Sequence, residues 1–547
     1  MEGKRLKLPA GLTTFEEIRT RGYLYVDKTR HLVNLIDTGK IYFLARPRRF
    51  GKSLTVSTFE ALFSGRKDLF KGLYAEEFLN RPEFKPSPVI WLDMCGVDTF
   101  DGIDSINESI IMKTLMVADE LEVEIGKTSS AAVTLAKLIV NTAKKYDRKV
   151  VFLLDEYDKP YTDFVNDPVM APKVRKLLRS YYSQIKANDK HISFIFITGI
   201  SKFTKMGVFS TLNNITDISL LEEYGEICGL TEEEIINYFP DYLEETANKF
   251  EMTTEALIKK MKEYYNGFCF DSGGKHRLYN PYSILRFFFA QMFSNYWIES
   301  GTSSMFVDYL KSNKVSVEQF RHYQVSDDFF NNATEIEKAT PDSFLFQTGY
   351  LSLREGTNEM LALDYPNTEV LESLSSLVSK YVLKDNSDDF TYCRSDLISG
   401  MLDIDYKLVV SALNRLLASI PYDDFSAAAV KNISDNRYEM KPQEWLYRSN
   451  IIAFLRGCGV VVVAEMHTNL GRADLVIAHK GKIWVIELKV AYEGENPEKK
   501  AQKAYRQMIN KQYADPFPDA VSIAMVIDDT VRQITHFKFK AKKISGR

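Results

Sequence analysis

Residues 41–53 read Ile41-Tyr42-Phe43-Leu44-Ala45-Arg46-Pro47-Arg48-Arg49-Phe50-Gly51-Lys52-Ser53. An apolar run followed by a glycine-lysine-serine turn and then an amphipathic stretch predicts a buried strand, a loop and a helix. Backbone N–H groups at such a helix start, together with the helix dipole, favour phosphate oxygens. In this arrangement Lys52 is placed to meet the β- and γ-phosphates of a nucleotide, and the Ser53 hydroxyl is placed to ligate Mg²⁺. We therefore predict a nucleotide-binding loop here.

The entry of this loop departs from the usual pattern. Arg46 occupies the position at which a loop of the form G-x-x-x-x-G-K-[ST] has its first glycine, so the backbone must turn differently there. A solvated basic turn is the alternative interpretation, and Pro47 with the neighbouring arginines suits it equally well. The residues predicted to contact nucleotide are Arg46, Arg49, Phe50, Gly51, Lys52 and Ser53.

Two later apolar runs supply polar groups for the same edge of a sheet. Val150–Leu154 is followed by Asp155 and Glu156, and Phe194–Ile197 is followed by Thr198. At the carboxyl end of a parallel strand, Asp155 can hold Mg²⁺ through water, and Glu156 can polarise an attacking water. Thr198 would then sense the terminal phosphate. The alternative is that Asp155 and Glu156 merely cap a helix after a core strand.

The distribution of apolar runs divides the chain of 547 residues into three predicted domains. Residues 1–230 alternate continuous apolar runs with amphipathic stretches, which predicts an α/β domain with a parallel sheet. Residues 231–430 are predicted to be a mainly helical lid and coupling region, with a small sheet added at 343–353 and 360–363. Residues 431–547 return to strands flanked by helices, so the last domain is also predicted to be α/β.

A predicted hairpin lies within Gly471–Lys489. Its turn, Lys480-Gly481, is typical of a two-residue loop between apolar strands. If the turn is centred there, Asp474 lies opposite Glu487, with Cβ atoms about 5 Å apart. Lys489 shares the face of Glu487 because side chains alternate along a strand. The pattern therefore predicts two carboxylates and one amine on a single strand face.

This arrangement predicts a metal site. The carboxylates of Asp474 and Glu487 would repel each other unless a hard cation such as Mg²⁺ joined them. The metal would acidify a water for attack on a phosphodiester, and Lys489 would orient that water or neutralise developing charge. The alternative is an ordinary solvated strand face on which Lys489 pairs with both acids. On the flanking helical patterns, Glu444 is a candidate further metal ligand and Gln507 is a further candidate site residue.

Composition and charge limit the functional classes. The formal net charge is −4, so the chain lacks the overall basic excess that would by itself predict a nucleic-acid binder. From Lys489 onward, however, Lys and Arg outnumber Asp and Glu by 12 to 7, a local surplus that could hold a phosphate backbone. Five widely spaced cysteines, together with the lack of an apolar run long enough to span a bilayer, predict a cytoplasmic protein without membrane association.

Taken together, these motifs resemble a family of prokaryotic proteins that join an AAA-ATPase-like domain to a C-terminal PD-(D/E)XK nuclease domain. The motifs run nearly end to end in order: Leu8-Pro9-Ala10-Gly11, Tyr25-Val26-Asp27-Lys28-Thr29, Arg46–Ser53, Leu154-Asp155-Glu156-Tyr157-Asp158, Tyr265-Asn266-Gly267-Phe268, Tyr279-Asn280-Pro281-Tyr282-Ser283, Tyr365-Pro366-Asn367 and the set of Asp474, Glu487 and Lys489. Family members share the Arg-Pro-Arg-Arg-Phe-Gly-Lys-Ser form, so the resemblance accounts for Arg46. It implies an N-terminal P-loop ATPase fold and a C-terminal restriction-endonuclease-like fold, in which Gln507 occupies the place of a helix glutamine found in many such nucleases.

The residues and the resemblance predict one function and leave one alternative. The predicted function is that of an ATP-binding and ATP-hydrolysing protein whose C-terminal domain cleaves nucleic acid, with cleavage gated by the nucleotide state. The alternative is an ATP-driven switch or scaffold that binds nucleic acid without cutting it. The expected cofactors are ATP and Mg²⁺, with Mn²⁺ as a substitute at the nuclease site. DNA is favoured over RNA as the partner, and assembly with further copies of the chain is left open.

Overall fold

The chain forms two compact units. These are Met1–Met305 with His322–Val370, and Phe306–Arg321 with Leu371–Arg547. The boundary that the sequence predicts at residue 431 lies outside the described residues, and the division into three domains stays a prediction. The computed structural model describes residues 5–99, 102–164, 167–200, 209, 214–297, 309, 317–320, 323–325, 329, 339–355, 361–382, 387–420, 442–468, 471–517 and 519–540.

A five-stranded parallel sheet forms the centre of the first unit. Its strands are β1 (Ile41–Ala45), β2 (Val89–Asp93), β3 (Val150–Asp155), β4 (Ile192–Gly199) and β5 (Thr216–Asp217). They lie in the order β2-β3-β4-β1-β5, and β3 is buried along its whole length. The predicted parallel α/β architecture is therefore confirmed. Because the strands are parallel, the carboxyl ends of β1, β3 and β4 lie at one edge.

Helices pack around this sheet. They are α1 (Phe15–Thr20), α2 (Thr29–Thr38), α3 (Lys52–Phe63), α4 (Ala75–Leu79), α5 (Ile103–Glu120), α6 (Ala131–Lys145), α7 (Lys159–Thr162) and α8 (Met170–Ala187). α3 follows β1 after a six-residue loop and packs against β2, β3 and β4. Its first turn therefore lies at the carboxyl edge of the sheet.

The helical region that follows β5 also belongs to the first unit. Its helices are α9 (Glu232–Tyr238), α10 (Pro240–Lys249), α11 (Thr254–Tyr265) and α12 (Pro281–Ala290). α9 begins at a capping box, in which Thr231 Oγ1 accepts from the N–H of Glu234 and Glu234 Oε2 accepts from the N–H of Thr231. Buried aromatic side chains, among them Phe239, Tyr265 and Phe287, hold these helices together.

The first unit also contains a three-stranded antiparallel sheet. Its strands are β6 (Tyr323–Val325), β7 (Ser352–Glu355) and β8 (Leu361–Asp364), with β8 in the centre. The predicted strand at 360–363 is confirmed, whereas the prediction for 343–353 is wrong over most of its length. Helix α13 (Pro341–Thr348) occupies that segment instead. Pro341 fits the first turn, where its missing N–H leaves no bond unmade, and Gly349 ends the helix with φ 89°.

The second unit is built on a mixed five-stranded sheet. Its strands are β9 (Val461–Thr468), β10 (Gly471–His479), β11 (Lys482–Ala491), β12 (Val521–Asp528) and β13 (Gln533–Lys540). They lie in the order β13-β12-β11-β10-β9, with β11 and β12 parallel and the other pairs antiparallel. The accompanying helices are α14 (Thr368–Val382), which belongs to this unit from Leu371 onward, α15 (Ser387–Asp403), α16 (Tyr406–Ser419), α17 (Pro442–Gly457) and α18 (Pro497–Asn510).

The two faces of this second sheet have separate cores. Residues of α15, α16 and α17 pack against Trp484 and Ile486 on one face. Alternation along β11 turns Val485 to the opposite face, where it packs with Ala504 and Met508 of α18. The α/β prediction for the C-terminal region is thus confirmed. None of the helices in the described ranges combines the length and the apolar character that a bilayer crossing requires.

Candidate functional site

The loop between β1 and α3 turns through two residues with positive φ. Arg49 has φ 66° and Gly51 has φ 99°. Gly51 is also the residue that precedes α3, which begins at Lys52. A side chain at that φ would be strained, so glycine suits the position. The free N–H groups of the first turn of α3 lie at the carboxyl edge of the sheet, where they favour an anion.

Lys52 lies buried in this loop. Its amine donates hydrogen bonds to the carbonyl oxygens of Arg46 and Pro47, each at 3.0 Å. Burial lowers the pKa of Lys52, and the negative charges of Asp155 and Glu156 oppose that shift. The amine is therefore held next to the acidic edge of the sheet, and a bound phosphate would replace the two carbonyls as its acceptor.

Arg46, at the position of the missing glycine, points its side chain away from the loop. Its guanidinium donates to the carbonyl oxygens of Ser219 at 2.7 Å and Tyr224 at 3.0 Å. It also lies over the ring of Phe270, 4.5 Å from the ring centroid. Burial lowers the pKa of Arg46 to about 10. The side chain thus anchors the loop to the segment after β5, and a nucleotide contact by Arg46 stays a prediction.

Two neighbouring side chains connect the same loop to the helical region. Phe50 is buried and packs edge-to-face on Phe268 at 4.8 Å and on Phe270 at 5.0 Å. The Arg49 guanidinium lies 3.7 Å from the ring centroid of Tyr282 on α12. Both residues therefore support the loop, and their predicted roles in nucleotide binding stay predictions.

The acidic residues after β3 lie beside the end of β4. The hydroxyl of Thr198 donates to Asp155 Oδ1, which also accepts from the N–H of Glu156 at 3.0 Å. Glu156 has φ 50°, so the chain bends away from the strand at this residue. Both hydrogen bonds use Oδ1, a geometry that leaves Oδ2 for a water bound to Mg²⁺. Ser53, half-buried in the first turn of α3, is the hydroxyl predicted to complete that ligand set.

The predicted hairpin of the second unit has its turn where the sequence places it. Lys480 has φ 43° and Gly481 has φ 79°, the signs of φ that a type I′ turn requires. The pairs of β10 and β11 run outward from His479 with Lys482. This is the register of a turn centred on those two residues, and it is confirmed from the pair of His479 with Lys482 to the pair of Leu475 with Ile486. The predicted pair of Asp474 with Glu487 lies one step beyond the last of these pairs and stays a prediction.

The carboxylates of Asp474 and Glu487 meet at the amine of Lys489. Lys489 Nζ lies 3.4 Å from Asp474 Oδ2 and 2.9 Å from Glu487 Oε1. Asp474 Oδ2 also accepts from the backbone N–H of Leu488 at 2.9 Å. The side chain of Asp474 is therefore bound to the neighbouring strand. The predicted nuclease residues lie together, and their catalytic roles stay predictions.

Glu487 has the most perturbed environment of the three. Its side chain is 1% exposed, and neither carboxylate oxygen accepts a well-aligned hydrogen bond from another described residue. Burial, followed by the charge of Asp474, raises the pKa of Glu487 from 4.5 to about 7. Burial alone would lower the pKa of Lys489, but Asp474 and Glu487 outweigh it and raise that pKa. Lys489 supplies one positive charge to the two carboxylates of Asp474 and Glu487. The remaining negative charge is unfavourable in a buried site, and the carboxylate oxygens fit a hard divalent ion.

Glu444 and Gln507 differ in their relation to the cluster: charges of the cluster act on Glu444, whereas Gln507 bonds to Tyr513. Burial raises the pKa of Glu444 in the first turn of α17, where the charges of Lys489 and Asp474 also act on it. Gln507 Nε2 instead donates to the hydroxyl of Tyr513 at 3.2 Å. Across the part of the chain that the structure describes, no group of three Asp, Glu, His or Cys residues forms a ready metal site. The roles predicted for Glu444 and Gln507 therefore stay predictions.

Arg448, which the sequence patterns do not single out, fixes the backbone at Asp474. Its Nη2 donates to the carbonyl oxygen of Asp474 at 2.9 Å, and its Nη1 bonds to Glu465. Glu465 has φ 54° within β9 and also pairs with Arg472. The available signal was a glutamate inside the apolar strand Val461–Thr468, which is unusual unless a buried cation faces it.

We expect the affinity of this cluster for Mn²⁺ to depend steeply on pH. Glu487 must lose its proton to bind a cation, and its pKa in the metal-free protein is about 7. Affinity should therefore fall about tenfold for each pH unit below that value and level off at higher pH. Titration calorimetry of the wild type, with Glu487→Gln as the background for other sites, measures this change. A constant affinity from about pH 6 to about pH 8 would contradict it.

The ionisation of Glu487 also changes the stability of the metal-free fold with pH. The pKa of Glu487 is raised in the folded state above 4.5, so the folded protein binds a proton more tightly than the unfolded chain does. This group therefore stabilises the metal-free fold at low pH, and the contribution is lost as pH rises from 4.5 through about 7. A divalent ion should restore the stability lost at the upper end of that range.

Fold and geometry together define the class of protein: one unit has a parallel sheet and a buried lysine in the loop before α3, and the other has an acid pair and an E-x-K segment. Residues 9–209 match a family model described as a predicted AAA-ATPase. Residues 442–537 match the PD-(D/E)XK nuclease superfamily. The two predicted domain types are confirmed, and with them a potential for ATPase and nuclease activity.

One relative extends this match over almost the whole chain. It comes from Azotobacter chroococcum mcd 1 and is described as an uncharacterized protein in the vnfD 5′ region. The two proteins are 31% identical over 520 residues, which cover 94% of each chain. The chain therefore belongs to this family of AAA-ATPase-like proteins with a C-terminal PD-(D/E)XK nuclease domain.

Proposed function

We propose that this protein binds and hydrolyses ATP in its first unit and cleaves phosphodiester bonds of nucleic acid, with DNA favoured over RNA, in its second. One observation carries the nuclease part of the proposal. The buried carboxylate of Glu487 lies beside Asp474 and Lys489 but accepts no well-aligned hydrogen bond from the described residues around it. A buried carboxylate of this kind lowers the stability of the fold, and a role in metal-dependent catalysis would explain why the protein has it.

The residues of the cluster have distinct proposed tasks. A bound Mg²⁺ or Mn²⁺ would lower the pKa of an attacking water and stabilise charge on the phosphate. Asp474 and Glu487 would hold that ion through their carboxylates. Lys489 would orient the water and donate to the phosphate oxygen on which negative charge develops. Arg448 and the N–H of Leu488 would keep Asp474 in place from two sides.

The nucleotide site would combine the loop with an apolar cavity beside it. This cavity has a volume of about 110 Å³, and its lining includes Gly51 and Thr55 of the loop and α3, and Val26, Ile227 and Pro281. Its apolar walls suit the faces of a purine base, while the start of α3 suits the phosphates. Lys52, Ser53 and Asp155 would then act on the phosphates and Mg²⁺, Glu156 would activate the attacking water, and Thr198 would sense the terminal phosphate.

Gating of cleavage by ATP would begin at the loop. The loop is bound to the segment after β5 through Arg46 and to α12 through Arg49. A nucleotide that draws Lys52 from the carbonyls of the loop would alter both connections. Occupancy can change nuclease activity only if the two nucleotide states stabilise different arrangements of these contacts.

Incubation of the purified protein with end-labelled DNA and RNA tests the proposal. We expect cleavage products with Mg²⁺, none with EDTA, and a rate that changes when ATP is added. The metal requirement is expected because Asp474 and Glu487 carry two negative charges and Lys489 supplies one positive charge. Binding without product in both Mg²⁺ and Mn²⁺ would contradict the nuclease and would favour the ATP-driven switch.

A further inference from the structure

Helix α18 lies against the strand that carries the acid pair and the lysine. Its inner face buries Ala501, Ala504 and Met508 on the sheet. In its first turn, Lys500 Nζ donates to the carbonyl oxygen of Val490 at 2.7 Å. Val490 directly follows Lys489 in β11, so the start of the helix is fixed beside the cluster.

The outer face of α18 carries a line of cations. Lys499, Lys503 and Arg506 are exposed and lie at positions i, i+4 and i+7, which share one side of a helix. At a rise of about 1.5 Å per residue, they span about 10 Å along the axis. None of their side chains forms an ion pair with another described residue, whereas the neighbouring Lys500 pairs with Glu495. We call these three residues the α18 cationic face.

The placement of these three cations does not stabilise α18. Like charges at i, i+3 and i, i+4 destabilise a helix, and both spacings occur between these residues. Lys499 also lies in the first turn, near Asn496 at the N-cap, where the helix dipole disfavours a positive charge. An anionic partner bound from solution would reverse all three unfavourable terms.

We propose that the α18 cationic face binds the phosphodiester backbone of the nucleic acid, which the nearby acid pair would cleave. This rests on the proposed nuclease function, because it concerns the same substrate. Phosphates of one strand recur about every 3.4 Å along the duplex axis while the strand winds around it, so a face about 10 Å long can reach more than one of them. Contacts of this kind position the strand without reading its sequence. The face therefore binds DNA and RNA through the same chemistry.

The test is the triple variant Lys499→Gln, Lys503→Gln and Arg506→Gln in the full chain. Affinity for a 5′-labelled DNA duplex, and for an RNA duplex of the same sequence, is measured in EDTA over a range of salt concentrations. We expect affinity at least about tenfold lower at low salt and a plot of log affinity against log salt that is shallower by about 0.9 for each lost contact. The loss should be equal for different sequences.

A second triple variant provides the matched control. Lys173→Gln, Lys176→Gln and Arg179→Gln remove the same charge from exposed positions i, i+3 and i+6 of α8, in the other unit. Its salt dependence should equal that of the wild type. An unchanged slope in the α18 variant, or an equal loss in both variants, would overturn the proposal.

Two further outcomes keep the cationic face separate from the nuclease. If the α18 triple variant does not fold, Arg506→Gln alone should still reduce the slope by about 0.9. Wild-type protein that binds through the face but cuts nothing would refute the nuclease while supporting the face. Wild-type protein that cuts, together with a triple variant of unchanged affinity, would refute the face and leave the nuclease.

Discussion

Replacing Glu487 with glutamine is expected to slow phosphodiester cleavage by at least about 10²-fold while leaving the protein folded. Glutamine has nearly the shape of glutamate but no charge with which to bind a divalent ion. Cleavage of a labelled duplex at high Mg²⁺ measures the loss. Since Asp474 and Lys489 remain, any residual activity reports what the other two residues supply without Glu487.

The stability of the same variant separates a metal ligand from a structural ion pair. Burial and Asp474 raise the pKa of Glu487, so its charge is unfavourable without metal. The metal-free variant should therefore melt no lower than the wild type at pH 8 and should lose the rise in melting temperature that Mn²⁺ gives. Glu493→Gln, at an exposed position of the same unit, should change neither property. Lower stability with undiminished cleavage would show that Glu487 only supports Lys489.

The hairpin could be predicted because the forces that determine it are local. Continuous apolar runs define the two strands, and Lys480-Gly481 supplies the positive φ values of a tight turn. Those two features fix the register, and the register brings Asp474 and Glu487 to one amine. The perturbed pKa of Glu487 could not be predicted, because it depends on burial by residues distant in sequence.

The contacts of Arg46 are an example of what local sequence patterns do not predict. The sequence shows only that a glycine is missing, and it suits a solvated basic turn as well as a phosphate loop. The partners of its guanidinium, Ser219 and Tyr224, lie more than 170 residues away, so no spacing rule predicts them. Arg448 is similar, because its effect on Asp474 depends on how α17 packs against β10.

The predicted element boundaries were wrong where the apolar patterns were short. The apolar residues of 343–353 suit a strand or a buried helix equally, and Pro341 with Gly349 decides for α13. The extent of the middle region stays a prediction. The described helices between 371 and 420 group with the second unit, and the sequence beside them has no Pro/Gly-rich stretch that would indicate which core they join.

Replacing Lys52 with alanine is expected to weaken ATP binding by about 10²-fold. The variant removes the one amine that the loop buries next to Asp155 and Glu156, and with it a charge-assisted contact to the β- and γ-phosphates. Titration with a fluorescent ATP analogue measures the affinity. The carbonyls of Arg46 and Pro47 also lose their donor, so a drop in stability of about 1–3 kcal/mol should accompany the loss.

Two comparisons separate nucleotide binding from that loss of stability. Lys52→Arg keeps a positive charge and a donor for the loop, so it should recover most of the stability but little of the affinity, because the planar guanidinium does not fit the place of an amine. Lys71→Ala, at an exposed position of the same unit, should bind ATP as the wild type does. Mn²⁺ should still bind at Glu487 in all three variants. Unchanged ATP affinity in Lys52→Ala would remove the phosphate loop from the mechanism, since no other lysine lies at the start of α3.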